Sequence, residues 1–316
     1  MQVTGIETNK ITQFSQQSKI REVSQRKKPP SFGALIPKSQ IAKYEQFMRA
    51  NLPQHPNMTE ADIYRILESL DGFNALYEGM RNVNPQTISN ELYKKFNIHS
   101  DFQGDKILAG CCALVANIFH KLQMPQPPSI VKAPLDNRIL GCCNAKTRDL
   151  TFNASFNWAS IQEHAIKSKV SNFNSSGHFL ATFLHEFMHN FHVAKLQEIV
   201  MNDRVKNFHH IFRSDLFKKL IHFNQDLETI FIKQNSTEIT NPQIKSYIDQ
   251  KVSTYGSTLP AEMFAEKGTQ MIADVLDKRS LRPTRNPFMF KELDQDKFLM
   301  EMMNDFYAGN FRKYLM

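Results

Sequence analysis

Apolar residues along the chain fall at helical spacing more often than in alternation. Ile63, Ile66, Leu67 and Leu70 recur every three or four positions, the period that gathers side chains on one face of a helix. Thr59 stands ahead of them as an N-cap, and Glu60 and Asp62 favour the positive end of the helix dipole. Asp71-Gly72 is expected to end this helix. A shorter helix is expected before it, from residue 39 to 47. Asp105 is placed to cap another, running to about Leu122, whose all-round apolar character predicts a core position. After Pro125-Gln126-Pro127-Pro128 the pattern changes. Residues 129–132 read as a short strand, and 138–143 and 150–153, flanking a turn-rich 144–149, read as a β-hairpin. Beyond the hairpin the pattern is helical again, over 178–198, 204–234, 242–252, 260–277 and 292–307, with no internal repeat. The expected class is α+β, a small mixed sheet packed against a mainly helical body.

Composition narrows this. With 316 residues, 41% hydrophobic, and 25 phenylalanines, the chain can bury a sizeable core. Four cysteines are too few for a disulfide framework. The longest predominantly apolar run, residues 107–119, falls short of the roughly 20 residues a membrane span requires. The formal charge of +8 suggests a nucleic-acid partner until it is located. Residues 1–40 hold seven basic and two acidic side chains, so a Gln/Ser/Lys-rich leading segment carries +5 of the excess. That segment reads as a disordered tail, with Arg26-Lys27-Lys28-Pro29-Pro30 as solvated linker. No apolar stretch follows Met1, so a cleavable secretory signal is not expected. This points to a cytoplasmic protein, or one exported without a leader.

The chemistry concentrates in His185-Glu186-Phe187-Met188-His189. On a helix the two histidines lie one above the other and can grip one metal ion, while Glu186 is placed to take a proton from a water at that ion. With 11 histidines and 16 glutamates in the chain, such a match arises by chance roughly 0.02 times. Phe179, Leu180, Phe183, Leu184, Phe187 and Phe191 surround it with apolar surface. Two histidines and a glutamate in such a helix are costly without partners.

Catalytic zinc commonly takes three protein ligands. His192 lies one further turn along the helix, too far to join the upper pair, and reads as a helix-face histidine. The extended histidine motif needs a glycine at 192 and a histidine at 195, where this chain has His192 and Lys195. The better third ligand is Glu262, in a helix opened by Pro260. Glu266, four residues on and so on the same face, can accept a hydrogen bond from the outer nitrogen of a liganding histidine.

The segment from Tyr255 to Glu266, taken with His185-Glu186-Phe187-Met188-His189, resembles the catalytic domain of anthrax lethal factor and related glutamate-zincin toxin peptidases. The resemblance covers fewer than 20 residues. It implies a zincin fold, a Zn2+ ion held by His185, His189 and Glu262, Glu186 as general base, Tyr255 as a phenolic donor to the oxyanion, and Glu266 behind the ligands. Two departures stand out: Met188 replaces the family's usual glycine, and the stretch from His189 to Glu262 is long.

The expected layout is a tail at 1–40 and a zincin-like metallopeptidase domain at 41–316. The latter divides into a helical part at 41–125 and a catalytic part at 126–316 with a helical insert at 204–252. The expected function is zinc-dependent endopeptidase, toxin- or effector-like, acting on a protein or peptide, with no nucleic acid, no membrane span, and a monomeric state. The strand at 150–153 is expected to pair with an extended substrate. The alternative is an inactive zincin scaffold serving as a protein-binding module. A basic, nucleic-acid-associated protein has no motif behind it. Cys111-Cys112 and Cys142-Cys143 read as buried reduced thiols, since adjacent cysteines diverge and chelate poorly. His209, His210 and His222 read as surface or packing residues, and the late methionines Met289, Met300, Met302 and Met303 as core filler.

Overall fold

A computed structural model describes residues 13–15, 36–206 and 238–276, together with 298 and 301. Among them are eight α-helices and a five-stranded mixed sheet. The helices are α1 (Lys38–Asn51), α2 (Glu60–Met80), α3 (Pro85–Phe96), α4 (Lys106–Lys121), α5 (Ile161–Val170), α6 (Ala181–Lys206), α7 (Pro242–Lys251) and α8 (Pro260–Leu276). The strands are β1 (Gln13–Ser15), β2 (His99–Asp101), β3 (Ser129–Ala133), β4 (Gly141–Asn144) and β5 (Leu150–Asn153). No described helix is long and apolar enough to cross a membrane.

In the sheet the spatial order is β1-β4-β5-β3-β2. β2, β3 and β5 run parallel, while β4 is antiparallel to β5, with Gly141 opposite Phe152. The β4–β5 hairpin forms as expected. Asn144 turns it, its side-chain oxygen accepting from the N–H groups of Lys146 (2.8 Å) and Thr147 (3.1 Å). The order corrects one expectation: β5 is an interior strand, paired on both sides, so its backbone has no edge to offer a peptide. The outer side of β4 is the one to which a strand adds, here β1 in antiparallel pairing with Phe14 opposite Cys143. Those three residues fall within the stretch read as a disordered tail.

Local chemistry accounts for several helix ends. Thr59 caps α2 in a reciprocal box with Asp62, and the Asp105 side chain accepts from Leu108 N–H at 3.0 Å to open α4. Asp71-Gly72 does not end α2, which runs on to Met80. Phe73 is fully buried against Phe179 at 5.6 Å, a gain that outweighs the ~1 kcal/mol a helical glycine costs. The expected break between 198 and 204 is also absent, since α6 is continuous to Lys206. The rest of the helix expected over 204–234 lies outside the described residues, as does the one over 292–307 apart from 298 and 301. His209, His210, His222 and the late methionines lie outside them too. Four elements had no counterpart in the sequence reading: α3, α5, β1 and β2. α3 opens on Asn84-Pro85 and closes on Asn97 at φ 58°, a cap, a first-turn proline and a left-handed stop.

Helix α6 is the axis of the core, and every residue from 174 to 193 is buried. Phe183 packs against Phe152 (5.1 Å) and Trp158 (5.2 Å), seating α6 on the sheet. Phe187 packs against Phe119 of α4 at 5.1 Å. On its other side α6 makes its most extensive contact, with α8. There Met188 fills the space over Gly268, where a Cβ would meet the methionine's terminal carbon at 2.3 Å. Met188 thus has its counterpart in a glycine on the facing helix.

Candidate metal centre

The helical repeat stacks His185 and His189 as the spacing requires, their rings 4.5 Å apart. Their Nε2 atoms are separated by 2.9 Å. Glu262, in the first turn of α8, brings Oε2 to 3.1 Å from His185 Nε2 and 3.3 Å from His189 Nε2. Donors around a tetrahedral ion bonded at about 2.0–2.1 Å stand roughly 3.3–3.4 Å apart. Among the described residues this is the one His/Cys/Asp/Glu group whose ligand atoms converge closely enough to hold a metal ion. All three residues are buried.

The second nitrogen of His185 tells what the first must do. Nδ1 lies 2.8 Å from Glu266 Oε1, and a carboxylate there keeps the proton on Nδ1. Nε2 then presents a lone pair to His189 Nε2 and to Glu262 Oε2, an oxygen that accepts no well-aligned hydrogen bond. Three electron-rich atoms meeting in a buried space form a group that a proton or a metal ion among them would relieve. The electrostatics agree. Burial by itself lowers the pKa of His185, but Glu262 and Glu266 overcome this and raise it to about 10. Burial would raise that of Glu262, yet His189 and His185 hold it down at about 2. A divalent metal answers the same demand as a proton, and two imidazoles with one carboxylate suit zinc among other first-row ions.

Glu186 is fully buried, and neither of its carboxylate oxygens has a hydrogen-bond partner. Burial, the dominant cause, lifts its pKa to about 8, against the opposing pull of His185. Its side chain lies against the start of β4, where a Cβ on Gly141 would come within 2.8 Å of Glu186 Cγ. Only a glycine leaves that space.

Tyr255 sits in a turn closed by its own serines and threonines. Ser257 and Thr258 hydroxyls donate to the carbonyls of Thr254 (2.8 Å) and Tyr255 (2.6 Å). The phenol is hydrogen-bonded to Glu262, and burial first, then the neighbouring carboxylates, push its pKa well up, so it stays protonated. Its ring is 5.8 Å from that of His185.

The structure thus brings together His185, Glu186, His189, Tyr255, Glu262 and Glu266. His192 is not among the converging donors; it is buried and stacks on Phe264 at 4.5 Å. All four cysteines are buried and free. Sequence reasoning missed the groups that hold Glu266. Ser175 N–H and the Ser253 hydroxyl both donate to its Oε2, at 2.5 and 3.2 Å. Serines in a polar loop carry no periodic signal. No protein-family model, no curated protein and no solved structure matches this chain significantly, so the donor set carries the reading that follows.

Proposed function

We propose that the protein is a zinc-dependent endopeptidase of glutamate-zincin type, with His185, His189 and Glu262 as metal ligands. The observation that carries this is the convergence of those three donors beside a buried carboxylate without partners, that of Glu186. When bound, zinc supplies Lewis acidity to a water molecule and to the scissile carbonyl. Glu186 takes the proton from the attacking water and passes it to the departing amine, the task for which a raised carboxylate pKa is suited. Tyr255, kept protonated, donates a hydrogen bond to the oxyanion as it develops. Glu266 fixes the His185 tautomer through Nδ1. For a peptide substrate to pair along β4, which begins at Gly141 against Glu186, it would have to take the place of β1.

The test is metal content and peptide hydrolysis, measured on the wild type, Glu186→Gln and His185→Ala. One equivalent of zinc is expected in wild type and Glu186→Gln, with hydrolysis reduced at least 1000-fold in the latter. His185→Ala is expected to lose both. Protein that takes up no zinc, with turnover indifferent to Glu186→Gln, refutes the proposal. Zinc bound without turnover on any peptide leaves the inactive scaffold.

A further inference from the structure

We propose that the segment 172–175, which carries none of the reacting groups, is a positioning loop. Phe173 sets the orientation of Tyr255, and Ser175, with Ser253, sets that of Glu266 and through it His185. This rests on the metallopeptidase reading and adds residues that the motifs do not contain.

The loop begins where α5 stops. Asn172 adopts φ 55°, a left-handed conformation that asparagine tolerates. The stop is closed by Phe173 N–H donating to Ser168 O (2.8 Å) and Asn172 N–H to Lys169 O (2.9 Å), the paired bonds of a Schellman ending. The turned chain then aims its carbonyls away from the helix. Asn172 O accepts from Thr254 N–H at 2.8 Å and Phe173 O from Tyr255 N–H at 3.1 Å. The Asn172 side chain ties the loop down further, donating to Asp249 O at 3.0 Å and accepting from Asn57 at 3.1 Å. The backbone of Tyr255 is therefore fastened to this segment before its side chain is considered.

The side chains then divide the work. The Phe173 ring stacks on that of Tyr255, with centroids 5.2 Å apart and planes 24° from parallel. Swinging the phenol aside sacrifices that contact. Two residues on, Ser175 donates its N–H to Glu266 Oε2 (2.5 Å) and its hydroxyl to the Glu266 carbonyl (2.6 Å). Ser253 donates to the same Oε2. With Oε2 engaged by two donors, Oε1 is left directed at His185 Nδ1. One side of the loop thus governs the donor to the oxyanion, and the other governs a metal ligand.

That division predicts a split that a merely structural loop would not produce. In the full chain, Phe173→Ala is expected to lower kcat by 10-fold or more, leaving KM and zinc affinity within about twofold of wild type. Phe173→Tyr, which keeps the stacking face, is expected to restore kcat. Ser253→Ala, which removes a donor to Oε2, is expected to weaken zinc binding by about 10- to 100-fold in chelator competition. Ser175→Ala, which keeps its backbone N–H on Oε2 and loses only the hydroxyl bond to the Glu266 carbonyl, is expected to weaken it less. At saturating zinc their kcat should stay within a few-fold of wild type. Thermal unfolding of each zinc-loaded variant identifies any that fails to fold. If the variants lower zinc affinity, kcat and melting temperature together, or none of the three, the proposal is overturned. Failure of the metallopeptidase reading looks different, since wild type then neither binds zinc nor depends on Glu186. Should the chain bind zinc without turnover, the Phe173 role is overturned, while the serine role is still decided by chelator competition.

Discussion

Replacing Glu186 by glutamine tests the electrostatics of the centre without reference to any substrate. In the folded chain the carboxyl pKa is raised from an ordinary 4.5 to about 8, so the native state holds a proton that the unfolded state releases earlier. Its contribution to stability is therefore intact below pH 4.5 and is lost as the pH climbs toward 8. At about 1.4 kcal/mol per pH unit, that loss reaches on the order of several kcal/mol. Glutamine fills the same volume and never ionises. Chelator-stripped wild type and Glu186→Gln are thus expected to match in stability near pH 4.5. They should diverge in favour of the variant up to pH 8 and stay parallel above it. Urea unfolding of both proteins at half-unit steps of pH measures this directly. Saturating zinc is expected to shrink the gap, because a cation beside Glu186 offsets the penalty of burying its charge. Stability curves that run parallel from pH 5 to 8 would show that the carboxylate is solvated or paired, and the reasoning would fail with them.

Three further outcomes follow from the packing. Gly268→Ala forces a Cβ toward Met188 and is expected to cost about 1–3 kcal/mol. Met188→Ala empties the same space at about 2–5 kcal/mol, and the double variant should cost less than the sum in urea unfolding. His192→Gln is expected to retain one equivalent of zinc, since His192 stacks on Phe264 rather than joining the donors; loss of metal would contradict that. Removing residues 1–20 takes β1 off the sheet, so amide exchange in β4 is expected to accelerate while β5, paired on both sides, stays protected.

What was legible in the sequence was whatever depends on short-range spacing. Two histidines four apart had to share a helix face, and a proline-opened helix with glutamates four apart had to present both on one side. The hairpin announced itself through the polar run at 144–149. Long-range properties were not legible. The strand order, which makes β5 interior, depends on where β3 returns to the sheet. The course of α2 past Gly72 depends on a partner, Phe179, more than 100 residues away. The departure at Met188 could be noted but not understood, because its explanation, Gly268, lies on another helix. The serines around Glu266 escaped for a different reason: their contribution is a direction of hydrogen bonding, and composition does not record directions.

The seating of Met188 over Gly268 bears on how the centre would take up an ion. Two of the donors belong to α6 and the third to α8, and this contact clasps those helices with protein atoms alone. The entropy of assembling the donor set is therefore spent when the chain folds, and preorganisation of this kind separates loading from folding. Stripped protein should keep its tertiary structure and reload without refolding. Metal supply would then act on this protein as a reversible switch, set by the free ion concentration in its surroundings.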